Sequence, residues 1–188
     1  MCCEAEQDYD ENEHCKEVYA HFGLAYYQSG VLESGIANAL LYCDFLSRWK
    51  HRLEKDGLKN FDRKLYQEEF DTYMKGQFSQ TLGNLLKRLD SALGIPTDLA
   101  EMISRAKKQR DFLAHHYYRE RSKDFVTRAG RDRMIAELME IGEEFQRIDQ
   151  HIQILLEPVK EKLGLRKETL EKYTAEFIRR AYAGEPVE

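Results

Sequence analysis

Two heptad seams dominate the chain. Val18, Phe22, Ala25, Ser29, Leu32, Ile36, Ala39, Cys43 and Leu46 follow one another at alternating steps of four and three. Met134, Leu138, Ile141, Phe145, Ile148, Ile152, Leu155 and Val159 do the same. That spacing lays the apolar residues along one stripe of a long α-helix. The first helix is expected from about Asn12 to Gly57, where Lys55-Asp56-Gly57 is a C-terminal signal. Some 44 residues at 1.5 Å each would span roughly 66 Å. A domain of this size is shorter, so a bend is expected near Ser29-Gly30 or Ser34-Gly35. Pro158 should kink or end the second long helix, and Gly164 closes the segment after it.

Shorter helical segments lie between and after the seams. One is expected over Arg63 to Lys75, ended by Gly76, and another over Gln80 to Leu93, ended by Gly94. Pro96-Thr97-Asp98 opens a third, with Thr97 as its cap. Its stripe is Leu99, Ile103, Ala106, Arg110, Leu113 and Tyr117, so an arginine interrupts an apolar row. Residues Ser122 to Gly130 read as a loop, and a last helix runs from about Lys167 to Ala183. No alternation of period two survives, so the expected fold is all-α: an antiparallel helical bundle with long first and penultimate helices. Residues 1–11 are expected as an acidic, flexible N-terminus before one helical domain over 12–188.

Charge is distributed unevenly. The net charge is −5, yet Arg105 to Arg133 holds ten basic and four acidic residues. Residues 1 to 13 hold six acids and no lysine or arginine. An acidic flap folding over the basic segment is therefore a second expectation. The apolar runs are too short to span a membrane, and the first residues lack the basic and apolar regions of a leader, so a cytoplasmic protein is expected. Cys2, Cys3, His14 and Cys15 are poorly spaced for zinc, and reduced thiols are the expectation. Glu11-Asn12-Glu13-His14 offers one E-x-x-H, where a di-metal bundle needs two, so no metal or cofactor is expected. There is no Gly-rich phosphate loop and no G-x-S-x-G. Trp49 is expected in packing.

Within the basic segment, Arg110-Asp111-Phe112-Leu113-Ala114-His115-His116-Tyr117-Tyr118-Arg119 concentrates chemistry. An arginine can grip a phosphate bidentately. A histidine can move a proton near neutral pH. Tyrosines can stack on bases.

The R-x4-H spacing of Arg110 and His115, with polar Asp111 after the arginine, resembles the signature of HEPN (higher eukaryotes and prokaryotes nucleotide-binding) domains. His115-His116-Tyr117 is similar to the H-x-Y extension of HEPN toxins paired with minimal nucleotidyltransferases. The resemblance implies a small helical bundle acting as a metal-independent endoribonuclease, in toxin–antitoxin, phage-defence or RNA-processing settings. It implies catalytic roles for Arg110 and His115 and supporting roles for Asp111, His116 and Tyr117. Tyr117 would stack on a base, hold a phosphate or be modified by an antitoxin such as a minimal nucleotidyltransferase. Lys107, Lys108, Arg119 and Arg121 are candidate RNA contacts. The alternative is a non-catalytic helical module that binds RNA, nucleotide or a protein partner.

On an ideal helix Arg110 and His115 point about 140° apart. One copy would not converge them, so a homodimer with a cleft between the Pro96–Arg121 helices is expected. Glu33 and Gln28 lie amid the first apolar helix, facing either the cleft or the outer surface.

Overall fold

The computed structural model describes residues 9–185. Those residues form an all-α bundle. α1 (Glu11–Leu40) passes through a π-helical segment (Leu41–Leu46) into α2 (Ser47–Asp56). A 3₁₀ turn (Leu58–Asn60) leads to α3 (Arg63–Phe78), α4 (Leu82–Leu93) and α5 (Thr97–His115). Two single-turn helices, α6 (Tyr117–Glu120) and α7 (Ser122–Phe125), precede the long α8 (Arg128–Leu163) and the terminal α9 (Lys167–Tyr182). Asp10 caps α1 by accepting from the amides of Asn12 and Glu13, and Asp62 caps α3 by accepting from those of Lys64 and Leu65.

The long helices alternate in direction. Arg110 of α5 meets Glu33 of α1 while Tyr118 meets Phe22, so α1 and α5 run antiparallel. Arg105 pairs with Glu144 while Arg121 pairs with Glu137, so the chain turns back again into α8. α8 therefore lies parallel to α1, from Glu11 against Arg131 to Lys50 against the Lys162 carbonyl. The two long helices lock together through glycines. A Cβ on Gly35 would strike Asp149, and one on Gly142 would strike Gln28. Gln28 thus lies against α8, and Ser34-Gly35 makes a close approach, not a bend.

The core is the two seams, read almost as spaced. Val18, Ala25, Leu32, Ile36 and Leu40 meet Met134, Leu138, Phe145, Ile148 and Ile152, all essentially solvent-free. Both seams then slip. In α8, Leu156 is buried and Leu155 only half-buried, because a 3.6-residue turn drifts against a strict heptad. In the first helix the break falls at Leu41–Leu46, neither at Ser29-Gly30 nor at Ser34-Gly35. A π turn inserts a residue, so the buried series steps from Leu40 to Phe45 and Trp49 and passes over Leu46. Phe45 and Trp49 pack on Tyr66 of α3, and Trp49 Nε1 donates to Glu69 at 3.1 Å.

Four local expectations are corrected. Gly76 does not end α3, which runs to Phe78. Thr97 is the first residue of α5 and makes no capping bond; Pro96 holds the cap position. Residues Ser122 to Gly130 are not a loop, since they contain α7 and the first turn of α8, capped by Thr127 accepting from the Gly130 amide. Pro158 does not end α8. Pro158 and Ile154, whose carbonyl loses its helical partner, both face solvent.

Candidate active site

Arg110 reaches the surface from its apolar stripe. Leu113 and Ala106, one turn to either side, are buried, while the arginine side chain keeps a quarter of its surface. Its stem lies along the α1–α5 seam and its guanidinium meets two carboxylates. Nη2 pairs with Glu33 Oε1 at 2.9 Å and Nη1 donates to Asp111 Oδ1 at 2.9 Å. Glu33 thus faces α5. The third donor, Nε, is buried and has no partner among the described residues. A buried N–H without a partner costs free energy in the resting protein.

Asp111 ties the cluster together. Its Oδ2 accepts from Lys107 Nζ at 3.1 Å while Oδ1 accepts from Arg110. The Lys107 hydrogen bond comes first among the influences that hold its carboxyl below the usual range, followed by the charges of Arg110, Lys107 and His115. Asp111 is therefore a carboxylate at neutral pH, able to orient cations but not to donate a proton.

Arg110 and His115 do not touch. His115 is exposed, the last residue of α5, and hydrogen-bonds to no described residue. Its ring lies 6.2 Å from that of His116, where the helix breaks. His116 Nδ1 is 2.7 Å from Arg119 Nη2. Arginine can only donate, so His116 is held with its proton on Nε2. The bond engages Arg119 with the motif. Lys108 remains exposed without an ion pair among the described residues.

One expected surface role does not fit the structure. Tyr117 is 1% exposed, and its hydroxyl donates to the Met134 carbonyl at 3.2 Å. It packs on Phe22 and Phe112, and burial raises its phenol strongly. A stripe residue locked into the core cannot stack on a base or hold a phosphate without leaving it. Arg121 is engaged in the resting protein. It grips both oxygens of Glu137 at 2.8 and 2.5 Å and lies over the Phe112 ring.

The described part of the acidic N-terminus meets α8 at the C-terminal end of the basic segment. Arg131, 3% exposed, takes Tyr9 Oη at 2.5 Å, Glu11 at 3.2 Å and the Phe125 carbonyl at 2.8 Å. His14 bridges Tyr9 and Asp132. Glu4, Glu6, Asp8, Cys2 and Cys3 lie outside the described residues, so half of the acids of the flap and half of the poorly spaced zinc set do as well. Among the described residues no group of three or more His, Cys, Asp or Glu could hold a metal ion. No helix is long and apolar enough to cross a membrane, again among the described residues. The chain matches no family model, no curated protein and no solved structure against which it was compared.

Proposed function

We propose that this protein is a metal-independent endoribonuclease of HEPN type, with Arg110 and His115 as its catalytic pair. The observation that carries the proposal is the state of Arg110: an arginine on a core stripe, brought to the surface with its Nε unpartnered among the described residues, on the same helix as an exposed histidine whose side chain hydrogen-bonds to no described residue. The RNA supplies the nucleophile. Its 2′-oxygen bonds to phosphorus, the bond from phosphorus to the 5′-oxygen breaks, and a 2′,3′-cyclic phosphate and a free 5′-hydroxyl result. His115 accepts the 2′-hydroxyl proton, and His115 of a second copy protonates the departing 5′-oxygen. Arg110 stabilises the charge gathering on the non-bridging oxygens. To do so it exchanges Glu33 for phosphate. That exchange is feasible because a partly exposed pair is worth only about 0–1 kcal/mol.

The separation of Arg110 from His115 supports a homodimer in which the α5 ends of two copies line one cleft. An antitoxin of the nucleotidyltransferase type remains a candidate partner, with an exposed residue, not Tyr117, as its contact.

The test is cleavage of labelled single-stranded RNA in EDTA, with Arg110→Ala and His115→Ala beside the parent chain. We expect cyclic phosphate ends from the parent and loss of at least about a hundredfold in each variant. The second reading, a helical module that binds without cutting, is favoured by the Glu33 and Asp111 pairs already occupying Arg110. RNA binding by all three proteins without cleavage would establish it.

A further inference from the structure

The α1–α5 seam that ends at Arg110 continues in the other direction as an aromatic surface. Tyr19, Phe22 and Tyr26 share one face of α1, the face that also carries Glu33. Phe22 and Tyr26 stack with their rings 10° apart. Tyr118, just beyond the two histidines, packs on Phe22 at 4.8 Å and on Tyr19 at 5.9 Å. Burial and the neighbouring Tyr19 push the Tyr118 phenol up to about 12, so it stays neutral. Phe22 and the buried Tyr117 form a floor, and three tyrosines stand on it with large parts of their rings in water: Tyr19 53%, Tyr26 48% and Tyr118 36%.

We propose that Tyr19, Tyr26 and Tyr118 form a stacking shelf for unpaired bases of single-stranded RNA flanking the phosphate held at Arg110. This assignment rests on the ribonuclease proposal for its ligand, and it moves the stacking role from Tyr117 to its exposed neighbours. Three features choose this occupant. Aromatic faces with polar rims accept any base by stacking. Tyr118, which joins the shelf to the motif, belongs to the net-basic segment Arg105–Arg133, which suits a phosphate backbone. A duplex keeps its bases inside and offers nothing to stack.

Anisotropy of a fluorescent ten-nucleotide 2′-O-methyl RNA tests the shelf, because that probe cannot be cut through its 2′-oxygen. Tyr19→Ala, Tyr26→Ala and Tyr118→Ala should each weaken binding by roughly fivefold to a hundredfold. The corresponding phenylalanine variants should bind like the parent, and this also controls for folding. An abasic probe of equal charge should bind weakly and respond to none of these changes. Alanine variants that bind like the parent, equal binding of the abasic probe, or no binding by the parent would each overturn the shelf. The last result would point to a protein occupant. Cleavage that depends on Arg110 but ignores the tyrosines defeats the shelf alone. Tyrosine-dependent binding without cleavage defeats the ribonuclease alone.

Discussion

Arg88 and Arg110 each rise from a helix of the bundle to meet acidic side chains of the first long helical stretch, yet their surroundings differ. Arg88 of α4 donates to Asp44 at 2.6 Å and to the buried Gln77 at 2.7 Å. Tyr73 completes that network, donating both to Asp44 and to the Leu40 carbonyl at the start of the π segment. Ser47 donates to the Tyr42 carbonyl in the same segment. Carbonyls at this segment are therefore met from α3 and α2, and its Asp44 side chain from α3 and α4. Around Arg110 the network stays open: Nε has no partner and His115 no hydrogen bond among the described residues, and two carboxylates hold a guanidinium at the surface. A closed polar network fixes a fold, and an open one beside exposed catalytic side chains suits a site.

Substitutions can break or sharpen this contrast. The largest effect on activity is expected from Arg110→Ala, at least about a hundredfold in RNA cleavage. Its melting temperature should fall little, since the lost pairs are partly exposed and worth about 0–1 kcal/mol. The largest effect on stability is expected from Arg88→Met. It strands the side-chain oxygen of the buried Gln77, costing about 1–3 kcal/mol, while the partly exposed Asp44 keeps the Tyr73 hydroxyl. At this chain length that is a drop of roughly 2–12 °C by calorimetry, with cleavage by the folded fraction intact. Tyr117→Phe removes one buried hydrogen bond and should cost about 1 kcal/mol without touching cleavage. Lost cleavage at unchanged stability would instead return Tyr117 to the chemistry.

The smallest effect concerns Asp149, whose Oδ1 is buried and unpartnered among the described residues, beside Gly35. Desolvation raises its carboxyl above the ordinary range, against weaker opposing influences of Gln153 and Lys160. A carboxyl raised in the fold favours the folded state while protonated. Its contribution weakens as pH climbs from the unfolded value towards the folded one. Asp149→Asn should therefore raise the melting temperature slightly at neutral pH. The gain should vanish near pH 3, where both states are protonated. An equal gain at both pH values would contradict that cause.

Spacing alone made the bundle legible, because buried stripes need only a period. It failed where the period itself changes. Nothing in Leu41 to Leu46 distinguishes a π turn from an α turn; the partners that sustain it, Tyr73 and Arg88, come from other helices. The motif was legible as residue types but only partly as roles. Tyr117 lies on the same stripe as Leu113, and that spacing correctly outweighs the surface role suggested by the resemblance. The Glu33–Arg110 pair joins residues far apart in sequence, so only the antiparallel packing of α1 and α5 reveals it.

The central claim is that Arg110 serves chemistry while Arg88 serves the fold. The most direct test is the rate of single-stranded RNA cleavage in EDTA by folded Arg110→Ala against the parent chain. A loss of about a hundredfold or more at nearly unchanged melting temperature is the expected result. Cleavage at the parent rate, or a collapse in stability as large as that of Arg88→Met, would contradict it.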